Sequence, residues 1–274
     1  MAKLIGTYGH GTLNDFVLVP DLENNQKITP EQVRNICNRK TGIGADGLIR
    51  IAKTDGKWFM DYRNADGSVA EMCGNGIRVM ARYLIANKLQ PAGIFSINTR
   101  AGTKYLAAPE SEDISVNMGK VELIPGEITV KVNGQSYLGL NISVGNPHAV
   151  VVVNDLSEIG DLKSAPQVSP DSAYPDGVNV EFIKFESDSI SMRVYERGVG
   201  ETKSCGTGTC AVALAATIFK SKQLPIKWQI NPPGGRLFVD IDPHSNATLI
   251  GPAVLVKEVE LDQFLDRKST RLNS

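Results

Sequence analysis

The 274-residue sequence predicts an α+β fold built from two duplicated, pseudo-symmetric halves. Three observations carry that reading. Short apolar or alternating runs outnumber helical patterns, which favours a strand-rich, barrel-like architecture over a regular βαβ series. Two helices each start directly after a cysteine and a glycine-rich turn, at Cys73-Gly74-Asn75-Gly76 and at Cys205-Gly206-Thr207-Gly208. These cysteines stand 132 residues apart, and Asn14 and Asn146, each just before an apolar strand, share that offset. The halves are then residues 1–120 and 121–250, with 119–126 as a connector and 251–265 returning to the first half.

Each element follows from its local pattern. Residues 16–19 read as a strand. Thr29-Pro30-Glu31-Gln32 starts a helix: Thr29 caps it, Pro30 brings a preset φ to the first position, and Gln32 closes a capping box. Ile77, Met80, Tyr83 and Leu84 give the helix after Cys73 its apolar spacing. Residues 128–132 and 135–140 flank Asn133-Gly134, which suits the type I′ turn of a hairpin. Further strands are expected at 149–153, 178–185, 190–195, 228–230, 237–241 and 253–259. The helix from Cys210 to Phe219 is apolar nearly all round and is expected to be buried. The polar stretch 266–274 resembles a translated sequencing adapter, with a frayed basic tail as the alternative, and either way it is left out of the fold.

Composition excludes several function classes. The net charge of −1, from 29 basic and 30 acidic residues, argues against an electrostatic nucleic-acid binder. A hydrophobic fraction of 42% can build a core and is incompatible with wholesale disorder. The longest aliphatic run, 149–153, is too short to cross a bilayer, and the first residues lack the apolar stretch of a signal peptide. A soluble, cytoplasmic protein is expected, with no membrane or nucleic-acid partner. None of the four cysteines has Cys-x-x-Cys spacing, and the three histidines form no helical pair, so no zinc pattern is present.

The chemistry lies at the two helix starts. Unpaired N–H groups there favour a thiolate, so a capping thiol is expected to fall from about 8.5 toward neutrality. The glycines allow close approach of a ligand, and the N–H groups can bind a carboxylate. The competing reading is packing, because free cysteine is often a small buried hydrophobe. Cys37 and Cys210 fit packing. For Cys73 or Cys205 alone the two readings stand level, and their matched placement favours chemistry. Two thiols on opposite faces of one carbon can invert it, one removing the α-proton while the other returns a proton, as a coupled pair.

The segment Asn64-Ala-Asp-Gly-Ser68-Val-Ala-Glu-Met-Cys73-Gly-Asn-Gly-Ile-Arg78 resembles the signature of the diaminopimelate epimerases. So do His10-Gly11 with Asn14-Asp15-Phe16, Gly42 to Asp46, Gly145-Asn-Pro-His148, Val178-Asn179-Val180 and Tyr195-Glu-Arg-Gly198 with Glu201-Thr202 and Cys205 to Gly208. The resemblance covers residues 1 to 265. It implies two domains, each a curled, barrel-like β-sheet around a central helix, with the active site in the cleft between them. It implies no metal, no pyridoxal cofactor and a homodimer, and conversion of LL-2,6-diaminopimelate to the meso form for lysine and peptidoglycan synthesis. By the same resemblance Cys73 and Cys205 are the acid/base pair. Gly74, Asn75, Gly206 and Thr207 bind the α-carboxylate, and Asn14, Asn64, Asn146, Asn179 and Arg197 hold the substrate. His148 and Glu196 tune the thiols or orient the amino group. Two departures stand out: Gly11-Thr12-Leu13-Asn14 replaces the family's frequent Gly-Leu-Gly-Asn, and Gly47 stands where some members carry a substrate-contacting Gln.

Taken singly, the supporting residues have ordinary readings. His148 can be a hydrogen-bonded structural histidine, the asparagines common turn residues, and Glu196-Arg197 a solvated pair. Two alternative functions stay open. A proline or hydroxyproline racemase, or a phenazine-type isomerase, would share the architecture but would carry His in place of Asn75 and would lack Tyr195 to Gly198. A module that binds an amino acid without chemistry would not need both thiols.

Overall fold

The computed structural model describes residues 4–265, and the stretch 266–274 lies outside the described residues. In chain order the first elements are β1 (Ile5–Gly11), β2 (Asn14–Pro20), α1 (Pro30–Cys37), β3 (Gly47–Thr54), β4 (Lys57–Asn64), α2 (Gly74–Ala86), β5 (Gly93–Thr99) and β6 (Gly102–Ala108). There follow β7 (Ile114–Lys120), β8 (Glu122–Val132), β9 (Gln135–Ser143), β10 (Pro147–Val152), β11 (Gln167–Ser169), β12 (Asn179–Phe185), β13 (Ile190–Glu196) and β14 (Gly200–Thr202). The last are α3 (Gly206–Phe219), β15 (Ile226–Asn231), β16 (Leu237–Ile241), β17 (Asn246–Gly251), β18 (Val254–Glu260) and α4 (Asp262–Leu265). Two compact units result. Of the described residues, one unit holds 4–11, Asp15–Ser111 and 253–265; the other holds Thr12–Asn14 and Glu112–Pro252.

In the first unit β2 is parallel to β3, β3 antiparallel to β4, β4 parallel to β5 and β5 antiparallel to β6. The second unit repeats that alternation through β10, β12, β13, β15 and β16. The fold is mixed and sheet-rich with few helices, and its sheet is curled rather than closed. Each unit buries one helix: α2 is covered along Gly74–Ala81 and at Tyr83 and Leu84, and α3 along Thr209–Thr217. Strand alternation sorts the two faces of the sheet. In β2, Val17 and Val19 join Val33 and Ile36 of α1 and Phe264 of α4 in one apolar cluster. In β10 and β12, Ala149, Val151, Val180 and Phe182 do the same with Ile128, Val130 and Leu162.

The local expectations meet the coordinates unevenly. Thr29 and Gln32 form the full capping box, and Asn133-Gly134 turns with φ of 48° and 77°. Residues 119–126, expected as a connector, are instead mostly strand. β8 already pairs with β9 at Glu122, and a register shift between Ile124 and Ile128 absorbs Pro125 and Gly126. β7, which precedes the boundary expected near residue 120, pairs with β17 and belongs to the second unit. Half-polar strands such as β5 and β6 escaped the sequence reading, because much of their surface is exposed and weakens the alternation.

Candidate active site

In the first unit Cys73 caps α2, and its half-buried Sγ accepts from Gly76 N–H at 3.4 Å. Gly74 and Asn75 open the helix. Arg78, fully buried one turn on, donates to the Gly74 carbonyl at 2.9 Å and to Asn75 Oδ1 at 2.8 Å, which locks that turn. Asn64 ends β4 and donates through Nδ2 to Ser68 Oγ at 3.0 Å. Gly47 lies opposite Asn64 in the β3–β4 register, and a Cβ there would come within 2.6 Å of both the Arg63 carbonyl and the Tyr62 ring. The backbone is thus built around the missing side chain. Thr12 and Leu13 form the turn between β1 and β2, with φ of 50° and 58°, values that non-glycine residues adopt at a cost. Thr12–Asn14 belong to the second unit, where Thr12 Oγ1 donates to Ser204 Oγ at 2.9 Å and Asn14 is buried.

In the second unit Cys205 caps α3, and its Sγ accepts from Gly208 N–H at 3.4 Å. Thr207 Oγ1 lies 3.5 Å from the same sulfur, and Asn146 Nδ2 donates to Thr207 Oγ1 at 3.4 Å. Asn146 Oδ1 accepts from His148 Nε2 at 3.1 Å. Asn179, at the start of β12, donates to the Pro147 carbonyl and accepts from Arg197 N–H, both at 3.0 Å. Arg197 is exposed and holds the Asp176 carbonyl at 3.3 Å. Glu196 ends β13 and accepts from the Thr202 hydroxyl. Burial raises its carboxyl, against the pull of the Thr202 and Cys205 hydrogen bonds.

The thiol of Cys205 departs from the sequence expectation. Burial above all, then the charges of Glu196 and Glu181, push it well above the ordinary thiol range. The hydrogen bonds from Thr207 and Gly208 lower it but do not prevail. At this helix start the expected fall toward neutrality is absent, because burial of Cys205 and the two nearby carboxylates outweigh the N–H groups.

One residue of this network was missed. Glu181 of β12 is fully buried, and its Oε1 lies 2.7 Å from His148 Nδ1. A signal for it existed: an acidic residue interrupting the apolar run Val180, Phe182, Ile183, two positions after Asn179 and so on the same face. Among the described residues no group of three or more His, Cys, Asp or Glu is placed to hold a metal ion.

Comparison with known proteins bears on these paired helix starts. The profile of the family described as diaminopimelate epimerase matches residues 6–124 and 140–256. The chain belongs to the diaminopimelate epimerase family. It is 43% identical over 271 residues to the diaminopimelate epimerase of Streptomyces coelicolor, covering 93% of this chain and 94% of that protein. The Corynebacterium glutamicum enzyme of that name is 42% identical over 265 residues, covering 90% and 94%. Among solved structures, a phenazine biosynthesis protein from Bacillus anthracis superposes with a TM-score of 0.72 at 15% identity, covering 95% and 99%. A hydroxyproline epimerase from Agrobacterium vitis gives 0.68 at 14%, covering 94% and 93%. These last two likenesses concern the fold alone. Family membership makes this member of the diaminopimelate epimerase family an isomerase.

Proposed function

We propose that the chain converts LL-2,6-diaminopimelate to the meso form by a two-thiol inversion at the α-carbon, with Cys73 and Cys205 as the acid/base pair. The observation that carries the mechanism is the repeated helix start: in each unit a cysteine caps a buried helix, and the N–H of the third helical residue points into its sulfur. Backbone N–H groups at both starts, from Gly74-Asn75 and Gly206-Thr207, offer donors for a carboxylate. One thiolate takes the α-proton, the bound carboxylate and N–H groups stabilise the developing carbanion, and the other thiol delivers a proton to the opposite face. Asn14, Asn64, Asn146 and Asn179 hold the substrate, and Arg197 suits its distal carboxylate because its fork binds bidentately. His148 and Glu196 orient the amino group or tune the thiols. The homodimeric state and cytoplasmic location that the family resemblance implies are part of this proposal.

The test uses what each thiol can do alone. Inversion needs both faces, so Cys73→Ala and Cys205→Ala are each expected to lose epimerisation of diaminopimelate by about 10²-fold or more. Loss of HX from a diaminopimelate analogue halogenated at the β-carbon needs one base only. Each variant is expected to retain that elimination, from opposite stereoisomers. Retention of full epimerase turnover in either variant, or elimination from the same isomer by both, overturns the mechanism.

A further inference from the structure

We propose that Glu181 is a further positioning residue for this reaction, anchoring His148 and, through it, Asn146 and Thr207 on the Cys205 side, while the Cys73 side has no counterpart. The inference rests on the two-thiol reading above.

The contacts form a closed path within the second unit. Glu181 Oε1 meets His148 Nδ1 at 2.7 Å, and both residues are fully buried. His148 Nε2 faces the amide oxygen of Asn146 at 3.1 Å, an atom that can only accept, so Nε2 carries a hydrogen. That bond turns the Asn146 amino group toward Thr207 Oγ1, which lies 3.5 Å from the Cys205 sulfur. A second route returns directly. Gly208, whose N–H donates to the same sulfur, sits on Glu181 so closely that a Cβ would fall 2.5 Å from Oε1. One carboxylate therefore supports both the imidazole and the helix start.

Duplication supplies the comparison that separates this role from folding. The parallel register sets His148 opposite Asn179 and Val150 opposite Glu181. In the first unit the same register sets Phe16 opposite Gly47 and Leu18 opposite Ile49. His148 thus corresponds to Phe16, and Glu181 to Ile49, at the 132-residue offset. Gly76 occupies the place of Gly208, and a Cβ there would meet Ile49 Cδ1 at 2.9 Å and the Phe16 ring at 3.4 Å. The scaffold closes under a helix start with apolar side chains alone. A buried carboxylate is costly to desolvate, and this one leaves Oε2 without a hydrogen-bond partner among the described residues. The cost is borne only in the second unit, where His148 takes the place of Phe16. Without the carboxylate the imidazole is free to rotate, and Asn146 and Thr207 lose their fixed positions.

The test is Glu181→Gln in the full-length chain, read on both stereoisomers of the β-halogenated analogue. Cys73→Ala first identifies the isomer that Cys205 deprotonates. E181Q is expected to lower kcat for that isomer by about 10- to 100-fold, the scale of a lost charge-assisted hydrogen bond, with KM changed less than about threefold. The other isomer is expected to change less than about twofold. Both rates come from the same folded molecules, so the folded fraction cancels in their ratio. E181D, which keeps the carboxylate, is expected to restore part of the ratio. Should E181Q yield no soluble protein, the smaller loss expected of E181D on the same isomer, relative to the unmodified protein, is read in the same way. Equal loss on both isomers, or loss on neither, overturns the proposal. Failure of the unmodified protein to eliminate from either isomer overturns the two-thiol reading instead.

Discussion

At Cys205 the balance between a helix N-terminus and burial decides the state of one atom. The Gly208 N–H and Thr207 hydroxyl favour a thiolate, yet burial and the Glu196 and Glu181 carboxylates hold the thiol well above its ordinary range. Replacing Glu196 by Gln removes one negative charge facing the sulfur, which lowers the cost of the thiolate. The expected result is faster alkylation of Cys205 by iodoacetamide at fixed pH near 8, by about tenfold, with the labelled residue assigned by mass spectrometry. Slower or unchanged labelling would mean that the carboxylate does not act on the thiol.

Between β3 and β4 an ionic cluster ties the elements that lead to Asn64. Asp61 is 3% exposed and pairs directly with Arg50 across the strands, while Arg63 and Arg100 approach its other edge at 2.9 and 2.6 Å. Burial alone would raise its carboxyl. The hydrogen bonds from Arg63, Arg100 and Arg50 prevail and hold it at about 2, against an ordinary 3.8. A depressed carboxyl contributes stability above its unfolded pKa, and that contribution disappears as pH falls through the folded one. The shift corresponds to about 2 kcal/mol at pH 7, lost between about pH 4 and pH 2. Asp61→Asn is expected to be less stable than the parent by at least that amount at pH 7, measured by urea unfolding. The gap is expected to narrow as pH falls toward 2. A gap independent of pH would assign the loss to packing.

Across the whole molecule one strand order is used twice, and the two uses are specialised at a few positions. Both units surround a helix capped by cysteine, but Arg78 locks the first turn of α2, whereas Cys210 holds the corresponding place in α3. Phe16 and Ile49 fill one helix seat, and His148 and Glu181 the other. Acid and base both come from the chain itself in the proposed mechanism. Epimerase turnover is therefore expected to survive EDTA and carbonyl reagents that attack pyridoxal phosphate. Loss of turnover with chelator, restored by one metal ion, would overturn that expectation.

Local chemistry was legible in the sequence wherever a few adjacent residues decide the outcome. The Thr29 capping box, the Asn133-Gly134 turn and the two cysteine-capped helices depend on side chains within one turn of each other. The repeat was legible because duplication left Cys73 and Cys205, and Asn14 and Asn146, at one spacing. The positions of Cys73, Cys205 and the residues beside them followed from the signature. What only the tertiary structure decided is what depends on distant neighbours. The pairing of β7 with β17 moved a strand into the second unit, and the β8–β9 register turned an expected connector into strand. An acidic residue amid the apolar run of β12 could be read from the sequence, but its pairing with His148 and its place under α3 were set only when β12 lay beside β10. The Cys205 thiol reversed its expected shift for the same reason: a helix start is written in four consecutive residues, but the burial and carboxylates that overrule it arrive from strands 9 to 24 residues away.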